Sequence, residues 1–252
     1  MTPSHHSAVP ASTVAAAKQH EPLTPQVYWT VAEGLDNAAV AALMVELSAD
    51  ETEQARRFRF DRDRATYVAA HVMLRRVLRE QLGGAEPRIG AHPLGRPELA
   101  SDPEGVRGPI ISFNLTHSAG FAACAVLGEA PVGIDAEDIR RPLDIAPMAT
   151  RWYAAAERRL LDRMAEPHRT EMFFRIWTLK EAILKAAGLG LRVEPQRFAV
   201  DPDRLQANVP DGLGIPTRWR LAELVPLPHI RLALAVPGQG RLAPSATRLE
   251  LI

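Results

Sequence analysis

Pro109-Ile-Ile-Ser-Phe-Asn-Leu-Thr-His-Ser-Ala-Gly-Phe-Ala-Ala-Cys-Ala-Val-Leu-Gly-Glu-Ala-Pro-Val-Gly-Ile-Asp-Ala-Glu137 is the stretch that decides the fold. Residues 109–113 and 121–127 have the β-branched, aromatic and small apolar content of strands, and Gly128-Glu-Ala-Pro131 turns into a third strand over 132–137. Three strands so closely connected predict a β meander at the centre of the chain, with residues 114–120 as a loop between the first two.

Helices flank this stretch on both sides. Upstream, Val27-Tyr-Trp-Thr-Val31 reads as a strand, and residues 35–47 carry apolar side chains at helical spacing. Ser48-Ala-Asp-Glu51 has the form of a capping box, which starts a second helix. Over residues 61–82 an apolar stripe of Ala70, Leu74, Val77, Leu78 and Leu82 predicts a longer helix stopped by Gly83-Gly84. Downstream, Phe173, Ile176, Trp177, Ala182, Ile183 and Leu184 define a helix that begins near Pro167 and ends at Gly188. A last strand covers 230–236. Helices and short sheets alternate without the strand-glycine-helix signature of a dinucleotide fold, so the fold class is α+β.

The chain has 252 residues, and its 30 basic and 30 acidic side chains cancel. No global field therefore draws it to nucleic acid or to an anionic membrane, and charge recognition has to be local. No stretch approaches the roughly 20 apolar residues of a membrane span. Residues 1–20 lack the basic start and apolar run of an export signal, so they read as a flexible tail on a cytoplasmic protein. The single cysteine, Cys124, sits in an apolar run and reads as a buried small side chain.

Asp135 and Glu137 are two apart in a strand, so their carboxylates share a face. Two such carboxylates repel unless a cation lies between them, and Mg²⁺ takes one or two protein carboxylates together with phosphate oxygens. The alternative is a solvated strand end running into Asp138. Glu181 and Lys185 are one helical turn apart and share a face, whereas Lys180 points about 100° away. They form either an exposed ion pair or, on so apolar a helix, a third metal ligand or proton acceptor beside a lysine. Asn114, Thr116, His117 and Ser118 offer amide, hydroxyl and imidazole groups suited to a phosphate. Arginines at 56, 57, 59, 62, 64, 75 and 76 surround the start of the helix at Asp61, as a phosphate or acidic-partner site or as a salt-bridged solvent face. No nucleophile elbow, Cys/His arrangement or zinc spacing occurs.

Val132-Gly-Ile-Asp135-Ala-Glu137 and Trp177-Thr-Leu-Lys180-Glu181-Ala-Ile-Leu-Lys185, about forty residues apart, together resemble the two signature motifs of the 4′-phosphopantetheinyl transferases. Ser112-Phe-Asn-Leu-Thr-His117-Ser resembles the motif that precedes them in this family, and Gly95-Arg96-Pro97 resembles its Gly-Lys-Pro. The length is similar to that of the single-chain Sfp type. The resemblance implies two similar halves related by a pseudo-twofold axis, each a small sheet packed with helices, over residues 21–130 and 131–252, with coenzyme A between them. It also implies a monomer.

By the same resemblance, Asp135, Glu137 and Glu181 bind Mg²⁺. Glu181 is the base for a serine hydroxyl of an apo acyl or peptidyl carrier protein, and Lys185, assisted by Lys180, contacts the pyrophosphate. Thr116, His117, Arg96 and an arginine from Arg62 and Arg64 hold the coenzyme A phosphates. Glu51 and Gln54 stand where some members have lysines for the 3′-phosphate. Carrier proteins are acidic, so Arg140-Arg141, Arg151 and Arg158-Arg159 are candidate contacts. Two rival readings are a non-catalytic coenzyme A or carrier-protein binding module and a metal-dependent hydrolase of small phosphate esters.

Overall fold

The computed structural model describes residues 23–91, 97–100, 111–128 and 130–252. The expected tail and the Arg96 site lie outside them. In chain order the elements are β1 (Gln26–Val31), α1 (Asn37–Leu43), α2 (Ala49–Arg56), α3 (Asp61–Gln81), β2 (Ile89–Ala91), β3 (Pro97–Leu99), β4 (Ile111–Ser118), β5 (Phe121–Gly128), β6 (Gly133–Asp138), α4 (Ile145–Trp152), α5 (Ala155–Asp162) and α6 (His168–Ala187). They continue with β7 (Ala199–Asp201), β8 (Gln206–Asn208), β9 (Trp219–Leu224), β10 (Ile230–Pro237) and β11 (Ser245–Arg248). The fold is α+β, and no described helix is long and apolar enough to cross a membrane.

Two sheets carry the architecture, one in the order β11-β1-β5-β4 and the other β6-β10-β9. Side-chain alternation along the strands sorts residues into three apolar layers. Phe113, Ala122, Cys124 and Val126 face α3, where Val68, Val72, Leu74 and Leu78 complete one core. The other face of the first sheet, with Phe121, Ala123, Ala125 and Leu127, packs on Ile134, Ala136, Leu232 and Leu234 of the second. Beyond that, Ala233 and Ala235 meet Phe174, Leu179 and Ile183 of α6, with α4 and α5 alongside. The order of layers is helix, sheet, sheet, helix.

The expected meander is corrected here. β5 has both edges occupied, by β1 and β4, so β6 pairs antiparallel with β10, a strand about one hundred residues further along the chain. The expected loop at 114–120 is also corrected, because β4 runs through to Ser118 and pairs with β5 along its length. Its polar residues alternate with Phe113 and Leu115, and they do not break the strand because they have partners on β6. The amides of Val132, Ile134 and Ala136 donate to Ser112 Oγ (3.2 Å), Asn114 Oδ1 (3.1 Å) and Thr116 Oγ1 (3.2 Å). A ladder of side chains thus joins the two sheets where backbone pairing stops.

The capping box forms as expected, with Ser48 and Glu51 exchanging bonds at the start of α2. α6 ends at Gly188 in the left-handed conformation, φ 71°. The last strand, β11, returns to pair parallel with β1, so the first sheet takes residues from both ends of the described chain.

Candidate active site

β6 lies flush on α6 because of Gly133. A Cβ there would stand 2.0 Å from the Ala182 carbonyl oxygen and 2.6 Å from the Ala186 amide nitrogen, distances no side chain tolerates. Ile134 and Ala136 point to the sheet interface, so Asp135 and Glu137 point toward α6. α6 in turn presents Glu181 and Lys185 one turn apart. Lys185 Nζ donates to Asp135 Oδ1 (2.7 Å) and to the Ile134 carbonyl (3.1 Å).

β4 supplies the third side of the junction. Thr116 Oγ1 donates to Asp135 Oδ1 (3.3 Å) while accepting from Ala136, and Ser118 Oγ donates to Glu137 Oε2 (2.9 Å). The Arg141 guanidinium stands 3.7 Å from Glu137 Oε1. The other oxygen of Asp135, Oδ2, is buried and has no hydrogen-bond partner among the described residues.

The electrostatics follow from three carboxylates sharing one ammonium. Burial first, then the charge of Asp135, raises the Glu181 carboxyl to about 7, with Lys185 opposing and Glu137 adding. Burial and Asp135 also raise Glu137, against Arg141, Ser118 and Lys185. A divalent cation would relieve this repulsion and give Asp135 Oδ2 a partner, so the donor set fits one. Among the described residues, no three carboxylate, imidazole or thiol side chains are already closed into a ligand set. Asp135, Glu137 and Glu181 share the junction with Lys185 standing on Asp135.

His117, next to Thr116, points to the opposite face of β4, toward α3. Desolvation first, then the charges of His71 and Lys185, holds its imidazole below the ordinary value. The neighbouring histidine belongs to a group that sequence reasoning missed. His71 Nδ1 lies 3.0 Å from Glu51 Oε1, Arg75 donates to Glu51 Oε2 (3.0 Å), and the Tyr67 ring stacks on His71 at 4.0 Å. Burial alone would raise Glu51, but His71, the Ser48 amide and Arg75 together hold it at about 2. Tyr67 is pushed up to about 12, by burial and then by Glu51. The signal was available in the spacing, since Tyr67, His71 and Arg75 recur every fourth residue and so share one face of α3.

Two expectations change. Lys180 does not reach the junction. Its side chain is 1% exposed, pairs with Glu157 (2.9 Å) and donates to the Pro195 and Phe198 carbonyls, because the helical rotation that turns Glu181 toward β6 turns Lys180 into the core. Thr116, expected on a coenzyme A phosphate beside His117, is instead buried on the opposite face of β4, where its hydroxyl donates to Asp135 and accepts from the Ala136 amide. Arg62 is exposed beside Asp63 (3.6 Å), and Arg64 bonds Asp61 (3.0 Å) and Asn37 (3.1 Å).

The site is therefore an acidic, hydroxyl-lined junction between two sheets and a helix, with one lysine inside it and one carboxyl poised near neutrality. Residues 131–235, which contain β6, α6 and β10, match the profile of the 4′-phosphopantetheinyl transferase superfamily. The chain is 34% identical over 216 residues to 4′-phosphopantetheinyl transferase HetI of Nostoc sp., covering 84% of this chain and 87% of that protein. The chain belongs to this superfamily. It is also 29% identical to a 4′-phosphopantetheinyl transferase of Bacillus subtilis, covering 68% of this chain and 74% of that one. The human L-aminoadipate-semialdehyde dehydrogenase-phosphopantetheinyl transferase matches at 28% identity, over 64% of this chain and 54% of the relative.

Proposed function

We propose that this chain moves the 4′-phosphopantetheine arm of coenzyme A onto a serine hydroxyl of an apo acyl or peptidyl carrier protein, releasing 3′,5′-ADP, and that it works as a cytoplasmic monomer. Membership of the superfamily supports the reaction. The observation that carries the site assignment is the junction of Asp135, Glu137, Glu181 and Lys185, with one buried carboxylate oxygen left unpartnered among the described residues and one carboxyl held at about 7.

Asp135, Glu137 and Glu181 would hold Mg²⁺, which supplies charge neutralisation for the pyrophosphate. Glu181 accepts the proton of the serine hydroxyl. A carboxylate held in place beside the pyrophosphate site suits that task, since positioned proton removal contributes about 10²- to 10⁴-fold. Lys185, already inside the site, turns its ammonium from Asp135 toward the phosphate oxygens and steadies the charge that grows as the bond to 3′,5′-ADP breaks. Thr116 and Ser118 fix the orientation of the carboxylates. His117, on the α3 side and facing His71, takes a coenzyme A phosphate, with Arg96 and one of Arg62 and Arg64 as further donors.

The halves at 21–130 and 131–252 are read as pseudo-symmetric, a reading supported by the pairing of one long helix with one sheet in each, with β11 of the second half crossing over to complete the first sheet. For the carrier, α5 offers Arg158 and Arg159, which with Arg169 line a recess of about 300 Å³ suited to acidic side chains.

The test is the intact mass of an apo carrier after incubation with the protein, coenzyme A and Mg²⁺. A gain of one phosphopantetheine, lost with EDTA and in Glu181→Gln, is the expected result. No gain across fatty acid, polyketide and peptide carriers, with coenzyme A still bound, would replace this reading with that of a binding module.

A further inference from the structure

Three successive residues of α6 point in three directions about 100° apart. Ala182 lies against the backbone of Gly133. Glu181 faces the junction, and Lys180 enters the core on the other side. Its ammonium has three donors and three acceptors: the Pro195 carbonyl at 2.7 Å, the Phe198 carbonyl at 2.6 Å and Glu157 Oε2 at 2.9 Å. Glu157, 2% exposed, accepts in turn from the Ala154 amide (2.7 Å) and the Val200 amide (2.8 Å). One ion pair thereby fastens the start of α5, the turn at Pro195–Arg197 and β7 to a single point on α6.

A buried ion pair is often no more stabilising than well-packed apolar side chains of the same volume, so its contribution is better sought in geometry. Here the geometry concerns the residue next to it. α6 is held at Ala182 by the strand it touches and at Lys180 by hydrogen bonds of fixed direction, and Glu181 is the residue between these two anchors. Arg175 with Glu223 and Glu171 with Arg231 tie the first half of α6 to β9 and β10. Lys180 is the polar anchor on the face away from β6 in the turn that carries Glu181, so its loss lets that turn roll away from Asp135.

We infer that Lys180 and Glu157 are positioning residues, a clasp that fixes the rotation of α6 and so the location of Glu181. This rests on the reading of Glu181 as the proton acceptor. Neither residue touches the carboxylates, so the clasp acts through the location of Glu181, foremost on turnover.

The experiment compares the full-length protein with Lys180→Met, Glu157→Gln and the double variant, at low temperature where near-ultraviolet circular dichroism reports a native fold. The expected kcat per folded molecule falls about tenfold to a hundredfold, as misplacement of a reacting group by about 1 Å does. In each variant kcat falls by more than KM for coenzyme A or for the carrier rises, the split expected when the transition state is affected most. The double variant is no worse than the worse single one, since the two residues act as a unit. A purely structural pair would lower the melting temperature and leave kcat of the folded molecules untouched, and that result overturns the inference. If Lys180→Met does not fold, Glu157→Gln decides by the same criterion, because glutamine keeps the volume and one of the two acceptor oxygens that the Ala154 and Val200 amides use. Absence of transfer by the unaltered protein would instead count against the transferase reading.

Discussion

Glu181→Gln is expected to make the metal-free protein more stable at neutral pH while abolishing turnover. In the folded chain the Glu181 carboxyl sits at about 7 instead of its ordinary 4.5. The folded state therefore binds this proton more tightly than the unfolded state, and stability falls as pH rises from about 4.5 to about 7, after which the loss is complete. At about 1.4 kcal/mol per tenfold, the full cost of ionising the group is about 3 kcal/mol. Glu181 is only partly buried, so solvent screening reduces this to about 1–2 kcal/mol. For a chain of this size, a melting temperature moves by about 2–4 °C per kcal/mol, giving an expected gap of about 2–8 °C.

Glutamine imitates the protonated carboxyl and carries no such cost. Melting curves in EDTA from pH 4.5 to 8.5 should coincide for the two proteins at the acid end and separate through pH 7, with the variant melting higher. Millimolar Mg²⁺ should then raise the unaltered protein and close the gap, because a ligand of the native state stabilises it. Parallel curves across the whole range, with or without the cation, would refute the claim that repulsion and burial hold Glu181 near neutrality.

Gly133→Ala forces a methyl group into the backbone of α6. A loss of at least about 1–3 kcal/mol, seen as an earlier urea midpoint, should accompany a fall in kcat, because the strand bearing Asp135 must lift from the helix. Asn114→Leu keeps the volume of β4 but leaves the Ile134 amide without an acceptor, and should cost about 1–3 kcal/mol in chemical denaturation. His117, held below its ordinary value and so largely neutral at pH 7, must take up a proton to pair fully with a phosphate. Calorimetry should accordingly find coenzyme A binding tighter at pH 6 than at pH 8, with His117→Ala removing most of that difference.

The site was more legible in the sequence than the topology around it. Asp135 with Glu137, and Glu181 with Lys185, follow from the two periodicities of the backbone, two for a strand and nearly four for a helix turn, and the structure brings all four to one junction. The same helical arithmetic separates Lys180 from Glu181, yet a charged residue in a motif invited a functional reading; only the fold reveals that Glu157, more than twenty residues upstream, is its partner. β4 was hidden for a related reason. Asn114, Thr116 and Ser118 look like loop residues until β6 supplies their partners, amides for Asn114 and Thr116 to accept and the Glu137 carboxylate for Ser118 to donate to. α4 and α5 are eight residues each, about two turns, with Pro142 just before α4 and Pro147 in its first turn, and β11 is exposed at all four positions, so none offers a repeated apolar period to read. The pairing of β6 with β10 in place of β5 depends on which edges remain free, a property of the assembled sheet.

The ladder of Ser112, Asn114 and Thr116 also has a consequence for how the protein behaves among other molecules. An outermost strand whose amides point to solvent is a template on which a foreign chain can grow. β6 would be such a template, and it cannot be shielded by an ordinary neighbouring strand without losing the opening in which its carboxylates work. Three short polar side chains occupy those amides instead, leaving room beside Asp135 that another backbone would fill. They act as a ruler as well. A slip of one residue would offer Phe113 and Leu115 to the amides of β6, and neither has an oxygen on its side chain to accept them. Resistance to aggregation and the alignment of the reactive groups thus depend on the same three residues.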